Sequence, residues 1–247
     1  MKNNSPRDHL TSSNYLVIGS GRMARHISHY LRLMKHQSPH IIGHVQEWDR
    51  SQDPHSLIPK AENSHFILLA ISDSQIQNFY KKHLEGLDAK IIHFSGALTI
   101  DGLISTHPLM TFGSELYDLQ TYKKIHFCIQ GIDSLKDVFP AFENTFSVLF
   151  SAQKSLYHSL CVLTGNVPMH IWELTYKEFE KLNIPRSAID HYIQQVTFNF
   201  INSHLDAITG PMKRKDLITI EKNIKSLEGK ALQKIYETIW ETLNEHS

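Results

Sequence analysis

A doubly wound, mostly parallel α/β sheet followed by a smaller all-helical domain is what three features of this 247-residue chain imply. A short apolar run, Tyr15 to Ile18, stops at Gly19 and gives way to apolar residues at helical spacing, which reads as strand, tight turn and helix. Apolar runs and amphipathic stretches then alternate to about Phe150, the rhythm of parallel strands joined by crossover helices. Beyond Ser151 the strand signals cease and apolar residues step by three and four. The expected organisation is a flexible tail over 1–13, an α/β domain over 14–150 and a helical domain over 151–247.

The elements follow in order. Met23, Ile27, Tyr30, Leu31 and Met34 form the apolar stripe of a first helix. Ile41 to Val45 reads as the next strand, and Phe66 to Ile71, nearly all apolar, as a parallel strand covered on both faces. Gln75 to Leu84 suits a short helix; Lys90 to Phe94, Ile104 to Met110 and Ile125 to Ile129 suit further strands. In the carboxyl-terminal part, Leu156, Leu160, Leu163 and Val167 form one stripe, continued by Ile171, Leu174, Phe179 and Leu182. Ile189, Ile193, Val196, Phe200 and Leu205 form another, and Ile224 to Trp240 a last one, with Pro168, Pro185 and Pro211 at breaks or helix starts.

Composition narrows the function. Apolar residues make up 41%, charged residues 20%, and acids and bases balance at 25 each, which offers no electrostatic footprint for nucleic acid or an anionic membrane. No apolar run approaches the roughly 18 residues a spanning helix needs, and the polar start with Pro6 lacks the apolar centre of a signal peptide, so a cytoplasmic protein is expected. Cys128 and Cys161 each lie in an apolar run and read as free, small hydrophobes. Seventeen histidines show no metal-ligand spacing, so no metal site is expected.

The chemistry concentrates after the first strand, in Gly19-Ser20-Gly21-Arg22-Met23-Ala24. A dinucleotide's pyrophosphate requires close backbone approach, a tight turn and the positive end of a helix. Gly19 and Gly21 permit the first two, the helix from about Arg22 supplies the third, and Ala24 lets helix and strand pack. In this setting the GxGxxA string marks a Rossmann-type domain. At the end of the second strand, Arg50 can pair with a ribose 2′-phosphate and Ser51 can donate a hydroxyl, which favours NADPH. Glu47 and Asp49 favour a free 2′-hydroxyl and leave NADH use open.

Ligands of open α/β sheets bind outside the carboxyl ends of the strands, so Ile71-Ser72-Asp73 and Ser95-Gly96 are expected to border the cofactor. Asp73 is either a ligand contact or a cap for a helix starting at Ser74 or Gln75. Ser95 either reaches the nicotinamide side or serves its own turn. His107, in His107-Pro108-Leu109, can donate a proton to an oxygen gaining negative charge, or be a structural histidine. Asn166 can hold a carbonyl or an amide. Lys213 and Arg214, in Thr209-Gly210-Pro211-Met212-Lys213-Arg214-Lys215-Asp216, can clamp a carboxylate or form a solvated loop.

These residues, together with Trp48-Asp49-Arg50-Ser51, Ala70-Ile71-Ser72-Asp73, His93-Phe94-Ser95-Gly96-Ala97 and Tyr157-His158, resemble a family of short two-domain bacterial reductases that includes the PanG-type alternative ketopantoate reductases. The family's turn carries Arg-Gly-Asp where this chain has Arg214-Lys215-Asp216, at a place where glycine serves a positive φ. The catalytic lysine of the longer ketopantoate reductases has no counterpart identifiable here. Pyrroline-5-carboxylate reductases are similar in their Gly-x-Gly-x-Met-Ala start, but their Pro-Gly-Gly-Thr-Thr loop is replaced by Pro211-Met212-Lys213.

A helical second domain of this size ordinarily buries its apolar faces against a second copy, so a homodimer through the helical domain is expected. The resemblance implies an NADPH-dependent reductase of a small 2-oxo acid, with 2-dehydropantoate, reduced to pantoate in pantothenate biosynthesis, as the leading substrate. In that reading His107 or a nearby lysine gives the proton, Asn166 orients the carbonyl, and Lys213 or Arg214 receives the carboxylate. A pyrroline-5-carboxylate-type imine reductase and a non-catalytic NADPH-binding sensor or assembly module are the alternatives, because fold and cofactor motif do not establish chemistry.

Overall fold

The computed structural model describes residues 12–245, and the chain divides into two compact units, 1–162 and 163–247. The first contains β1 (Ser13–Ile18), α1 (Arg22–Gln37), β2 (Ile42–Trp48), α2 (Leu57–Glu62), β3 (Phe66–Leu69), α3 (Asp73–His83), β4 (Lys90–His93), β5 (Ile104–Pro108), α4 (Leu119–Lys123), β6 (Phe127–Gln130), β7 (Phe146–Val148) and α5 (Ser151–Cys161). The sheet runs β2-β1-β3-β4-β5-β6-β7 and is parallel except where β6 pairs antiparallel with β5. This is the Rossmann-like, doubly wound arrangement expected from the sequence.

Both sheet faces are covered. Along β1, Tyr15 and Val17 pack on one side with Ile27, Leu31 and Leu68, while Leu16 and Ile18 pack on the other with Ile67, Leu69 and Ile76. Full burial of one such aliphatic side chain contributes about 1.5–3 kcal/mol, so strands apolar on both faces belong in the centre of the sheet. The chain leaves β1 towards β2 on one side and returns to β3 on the other, which opens a crevice at the carboxyl ends of β1 and β3.

Several boundaries move. The expected tail lies mostly outside the described residues, and Ser13 already belongs to β1. The second strand continues past Val45, because Gln46, Glu47 and Trp48 remain in register with Leu16, Val17 and Ile18. The next helix starts at Asp73, two residues before Gln75. The last expected strand starts at Phe127, since the Ile125 carbonyl instead accepts from Asn144 Nδ2 at 2.9 Å. Short α2, α4 and β7 were not read from periodicity.

The second unit contains α6 (Val167–Lys181), α7 (Arg186–Ser203), α8 (Pro211–Arg214), α9 (Leu217–Ser226) and α10 (Ala231–Glu245); a π-helical turn, Val162–Asn166, precedes α6. Among its described residues only Ile189 and Ile220 are buried. No helix among the described residues is long and apolar enough to cross a membrane.

The apolar stripes of α5 and α7 are largely exposed. Leu156, Leu160 and Leu163 are exposed, while Lys154 is buried and Tyr157, His158 and Cys161 are half-buried. Along α7, Ile189 is buried but Val196 and Phe200 are exposed, as is Leu205 just beyond the helix. Apolar periodicity finds a helix face correctly; it does not say whether the chain's own core or another surface covers it.

Candidate functional site

The glycine turn sits in the crevice between β1 and β3. Gly19 has φ +130°, its amide donates to the Trp48 carbonyl at 2.9 Å, and a Cβ there would lie 2.3 Å from the Ala70 carbonyl oxygen. Only glycine fits a position with both the unusual φ and backbone that close. Gly21 precedes α1 with extended backbone, and a Cβ built on it meets nothing within 4 Å. The first turn of α1 has no side-chain cap and no acidic residue, so its amides and the positive end of the helix face open space.

The resulting cavity, of about 520 Å³, is lined by Gly19, Ser20, Gly21, Arg22, Met23, Arg50, Ile71 and Ser72, with Trp48, Asp49, Gln75 and Phe79 beside them. Eight of the residues expected to hold a dinucleotide are thus together. Glu47 is engaged by Arg32 at 2.9 Å. The Asp49 carboxylate accepts the Ser51 hydroxyl at 2.5 Å and its amide at 2.8 Å, and these bonds hold its pKa below the usual carboxylate value. Ser51 is therefore committed to Asp49, whereas Arg50 is exposed and has no hydrogen-bonded partner among the described residues. The uncapped amides, the gap at Gly21 and the free guanidinium fit a phosphorylated dinucleotide.

A second cluster forms where β4 and β5 end. Ser95 donates to Asp73 Oδ2 at 2.5 Å, and its hydroxyl oxygen accepts from the Ala97 and Leu98 amides at 3.3 and 3.1 Å. Asp73 is consequently a partner for Ser95 rather than a helix cap, and Ser95 performs the turn chemistry that was one of its two readings. The Ser95 carbonyl accepts from Ser105 Oγ at 3.1 Å and from Lys154 Nζ at 3.2 Å, and Nζ lies 2.6 Å from Ser105 Oγ. Lys154 is only 2% exposed, and burial lowers its pKa to about 8, partly offset by Asp73.

Two histidines flank this ammonium. His93 is buried, and its Nδ1 accepts the Ser95 amide at 3.2 Å; burial, then the Lys154 charge, brings its pKa to about 4. His107 has its Nδ1 2.7 Å from the Tyr157 hydroxyl; burial, then His158 and Lys154, brings it also to about 4. Both imidazoles are neutral at pH 7. A Cβ on Gly96 would lie 3.1 Å from His107 Nε2 and 2.9 Å from His158 Nδ1, a buried atom with no hydrogen-bond partner. Any larger residue at 96 would displace both rings.

Lys154 and Ser105 are members of this cluster that the sequence reading did not single out, while His93 and Tyr157 were named only for the family resemblance and given no role. A signal existed: Lys154, Tyr157, His158 and Cys161 recur at i, i+3, i+4 and i+7, which puts them on one side of α5. The leucine stripe on the same helix concealed it. Asn166, Lys213 and Arg214 belong to the second unit and are exposed, Asn166 at the end of the π-helical turn and the two cations in α8. Lys215 adopts φ +53°, so the left-handed conformation that glycine would favour is kept with a lysine in place. Asp216 caps α9 through the Thr219 amide at 3.1 Å and hydroxyl at 2.8 Å.

Comparison with known proteins is consistent with this architecture. Residues 125–242 match a family described as a domain of unknown function, DUF2520. No curated protein matches the sequence. Among solved structures, a candidate NADP oxidoreductase of Bacteroides fragilis aligns over 96% of this chain and 99% of its own, with 20% identity and a TM-score of 0.73. A Thermotoga maritima protein aligns over 94% and 97%, with 22% identity and a TM-score of 0.67. A reductive aminase from Aspergillus terreus, solved with NADPH and ethyl-5-oxohexanoate, aligns over 95% and 93%, with 14% identity and a TM-score of 0.54. At these identities the likeness establishes a shared fold.

Proposed function

We propose that the chain is an NADPH-dependent reductase of a small 2-oxo acid, with 2-dehydropantoate, reduced to pantoate, as the leading substrate. The observation that carries this reading is the uncapped start of α1 facing a cavity that also receives Arg50, on the same carboxyl edge of the sheet as the Lys154 and His107 cluster. The first feature suits a dinucleotide diphosphate and the second a developing negative charge. NADP-linked descriptions of structurally similar proteins support the cofactor choice.

NADPH supplies a hydride when bound. The residues of this chain have separable roles. The amides after Gly19 and Gly21 hold the diphosphate, and Arg50 reads the 2′-phosphate. His107 faces the oxygen that gains charge, while Lys154 adds positive potential and holds the Ser95-Gly96 turn by its carbonyl. Asn166 orients the substrate carbonyl, and Lys213 or Arg214 receives the carboxylate. The oxygen takes its proton from the nearby lysine, Lys154, and the product is the 2-hydroxy acid.

An imine acceptor, as in a pyrroline-5-carboxylate-type reductase, is the second reading, favoured by an ammonium at Lys154 that can assist nitrogen as readily as oxygen. Purified protein with NADPH is offered 2-oxo acids and cyclic imines while absorbance is followed. Consumption with ketopantoate supports the first reading and consumption with pyrroline-5-carboxylate the second. Steady absorbance across the panel, with NADPH still bound, would favour a non-catalytic NADPH-binding module.

The exposed apolar residues of α7 support a homodimer through the helical unit. Tyr192, Val196 and Phe200 line one side, and Phe198 and Ile201 another. A helix apolar on several sides is ordinarily enclosed, and a second copy supplies matching surface by symmetry.

A further inference from the structure

We infer that Tyr157 fixes His107 as the neutral tautomer with its proton on Nε2, so that His107 meets the acceptor as a hydrogen-bond donor and not as an acid that surrenders a proton. The tautomer rests on the contact between His107 and Tyr157; its catalytic consequence rests on the reductase reading above.

One hydrogen lies between His107 Nδ1 and the Tyr157 hydroxyl, which are 2.7 Å apart. The phenol's other neighbours are the thiols of Cys128 and Cys161. An imidazole nitrogen is a stronger acceptor than a phenol oxygen or a sulfur, and a phenol a stronger donor than a neutral imidazole, so the phenol gives its hydrogen to Nδ1. The reverse arrangement would oblige the phenol to donate to sulfur. With Nδ1 occupied as an acceptor, the ring proton of a neutral imidazole resides on Nε2.

The ring is held in place. Tyr157 meets it edge-on with centroids 5.4 Å apart, and His158 does so at 6.2 Å. Nε2 lies beside Gly96, 3.1 Å from where a Cβ would sit, and no hydrogen-bond partner for Nε2 occurs among the described residues. A carbonyl oxygen is the acceptor this N–H suits. The ionisable groups around the ring are Lys154 and His158 from α5, Asp73 from α3, and Tyr157 with its two thiols. Burial and the Lys154 charge oppose a second proton, so the neutral form persists through the physiological range. A neutral imidazole N–H stabilises the oxyanion as it forms, and the proton that completes the hydroxyl then comes from the nearby Lys154 ammonium, which water recharges in each turnover.

Tyr157 is thus a positioning residue. Two-bond proton–nitrogen correlation spectra of the full chain labelled with nitrogen-15, with the His107 signals assigned by their loss in His107→Gln, are expected to show the Nε2–H tautomer from pH 6 to 8. In Tyr157→Phe the spectrum is expected to become a mixture of tautomers, kcat to fall about tenfold, and KM and NADPH affinity to stay within about twofold. An Nδ1–H or doubly protonated ring in the wild-type protein at pH 7 would overturn the inference, as would an unchanged tautomer in a folded Tyr157→Phe. The wild-type spectrum decides the matter even if that variant does not fold. Absence of turnover with every acceptor would remove the reductase reading, whereas the tautomer is read in the resting protein and is judged by the spectrum.

Discussion

Replacing Lys154 by methionine separates a functional charge from a structural one. The wild-type ammonium is 2% exposed, and its pKa of about 8 against 10.5 for an exposed lysine means that the folded protein disfavours the charged form by about 3 kcal/mol. Methionine has similar length and removes that penalty. It also removes two hydrogen bonds, to Ser105 Oγ and the Ser95 carbonyl, each worth about 1 kcal/mol. The Ser95 carbonyl still accepts from Ser105 Oγ, so no buried acceptor is stranded. Stability at pH 7 is therefore expected to change by no more than about 1 kcal/mol, while turnover falls at least tenfold as the positive potential beside His107 is lost. The pH dependence supplies an internal control. Because the folded pKa lies below the unfolded one, the unfolded wild-type chain binds more protons between pH 8 and 10.5, and its stability rises with pH across that window. The variant should lack this rise. Urea unfolding at pH 7 and pH 9.5, combined with NADPH-dependent turnover, measures all three quantities. A loss of several kcal/mol at pH 7 with turnover intact would show that Lys154 is structural and that its place in the candidate site is accidental.

Gly19→Ala puts a methyl 2.3 Å from the Ala70 carbonyl oxygen at φ +130°, so isothermal titration is expected to show NADPH binding reduced at least tenfold, with a melting temperature several degrees lower. His93 and His107 are neutral when folded but take a proton near pH 6.5 when unfolded. Stability is therefore full above pH 6.5 and lost as pH falls towards 4, by about 3 kcal/mol for each ring at most; denaturation of His93→Gln/His107→Gln should show a flatter slope in that window. Arg50→Ala is expected to weaken NADPH by about 1.5–3 kcal/mol and NADH much less, and equal losses would remove the 2′-phosphate role. Sedimentation at micromolar concentration should show a dimer that Phe198→Glu/Phe200→Glu converts to a monomer, and a wild-type monomer would contradict the homodimer.

What the amino-acid order determined by itself is local. The run Tyr15 to Ile18, the glycines at 19 and 21 and the amphipathic stretch after them specify strand, turn and helix start, because hydrophobic period, φ range and missing side chains are properties of neighbouring residues. Eight expected cofactor contacts accordingly line one cavity. The arrangement around Lys154 was decided only by tertiary structure. Its partners Ser95, Ser105 and Asp73 come from a turn, a strand and a helix start distant in the chain, and His107 meets Tyr157 fifty residues away. The orientation of α5 was likewise ambiguous, since leucines on one side and Lys154, Tyr157, His158 and Cys161 on the other are both regular helical stripes. The larger apolar stripe was the natural choice for the core, yet the sheet edge takes the polar one, where an ammonium finds acceptors and a phenol finds an imidazole. A stripe records which residues share a side of a helix, and only the folded neighbours determine what that side meets.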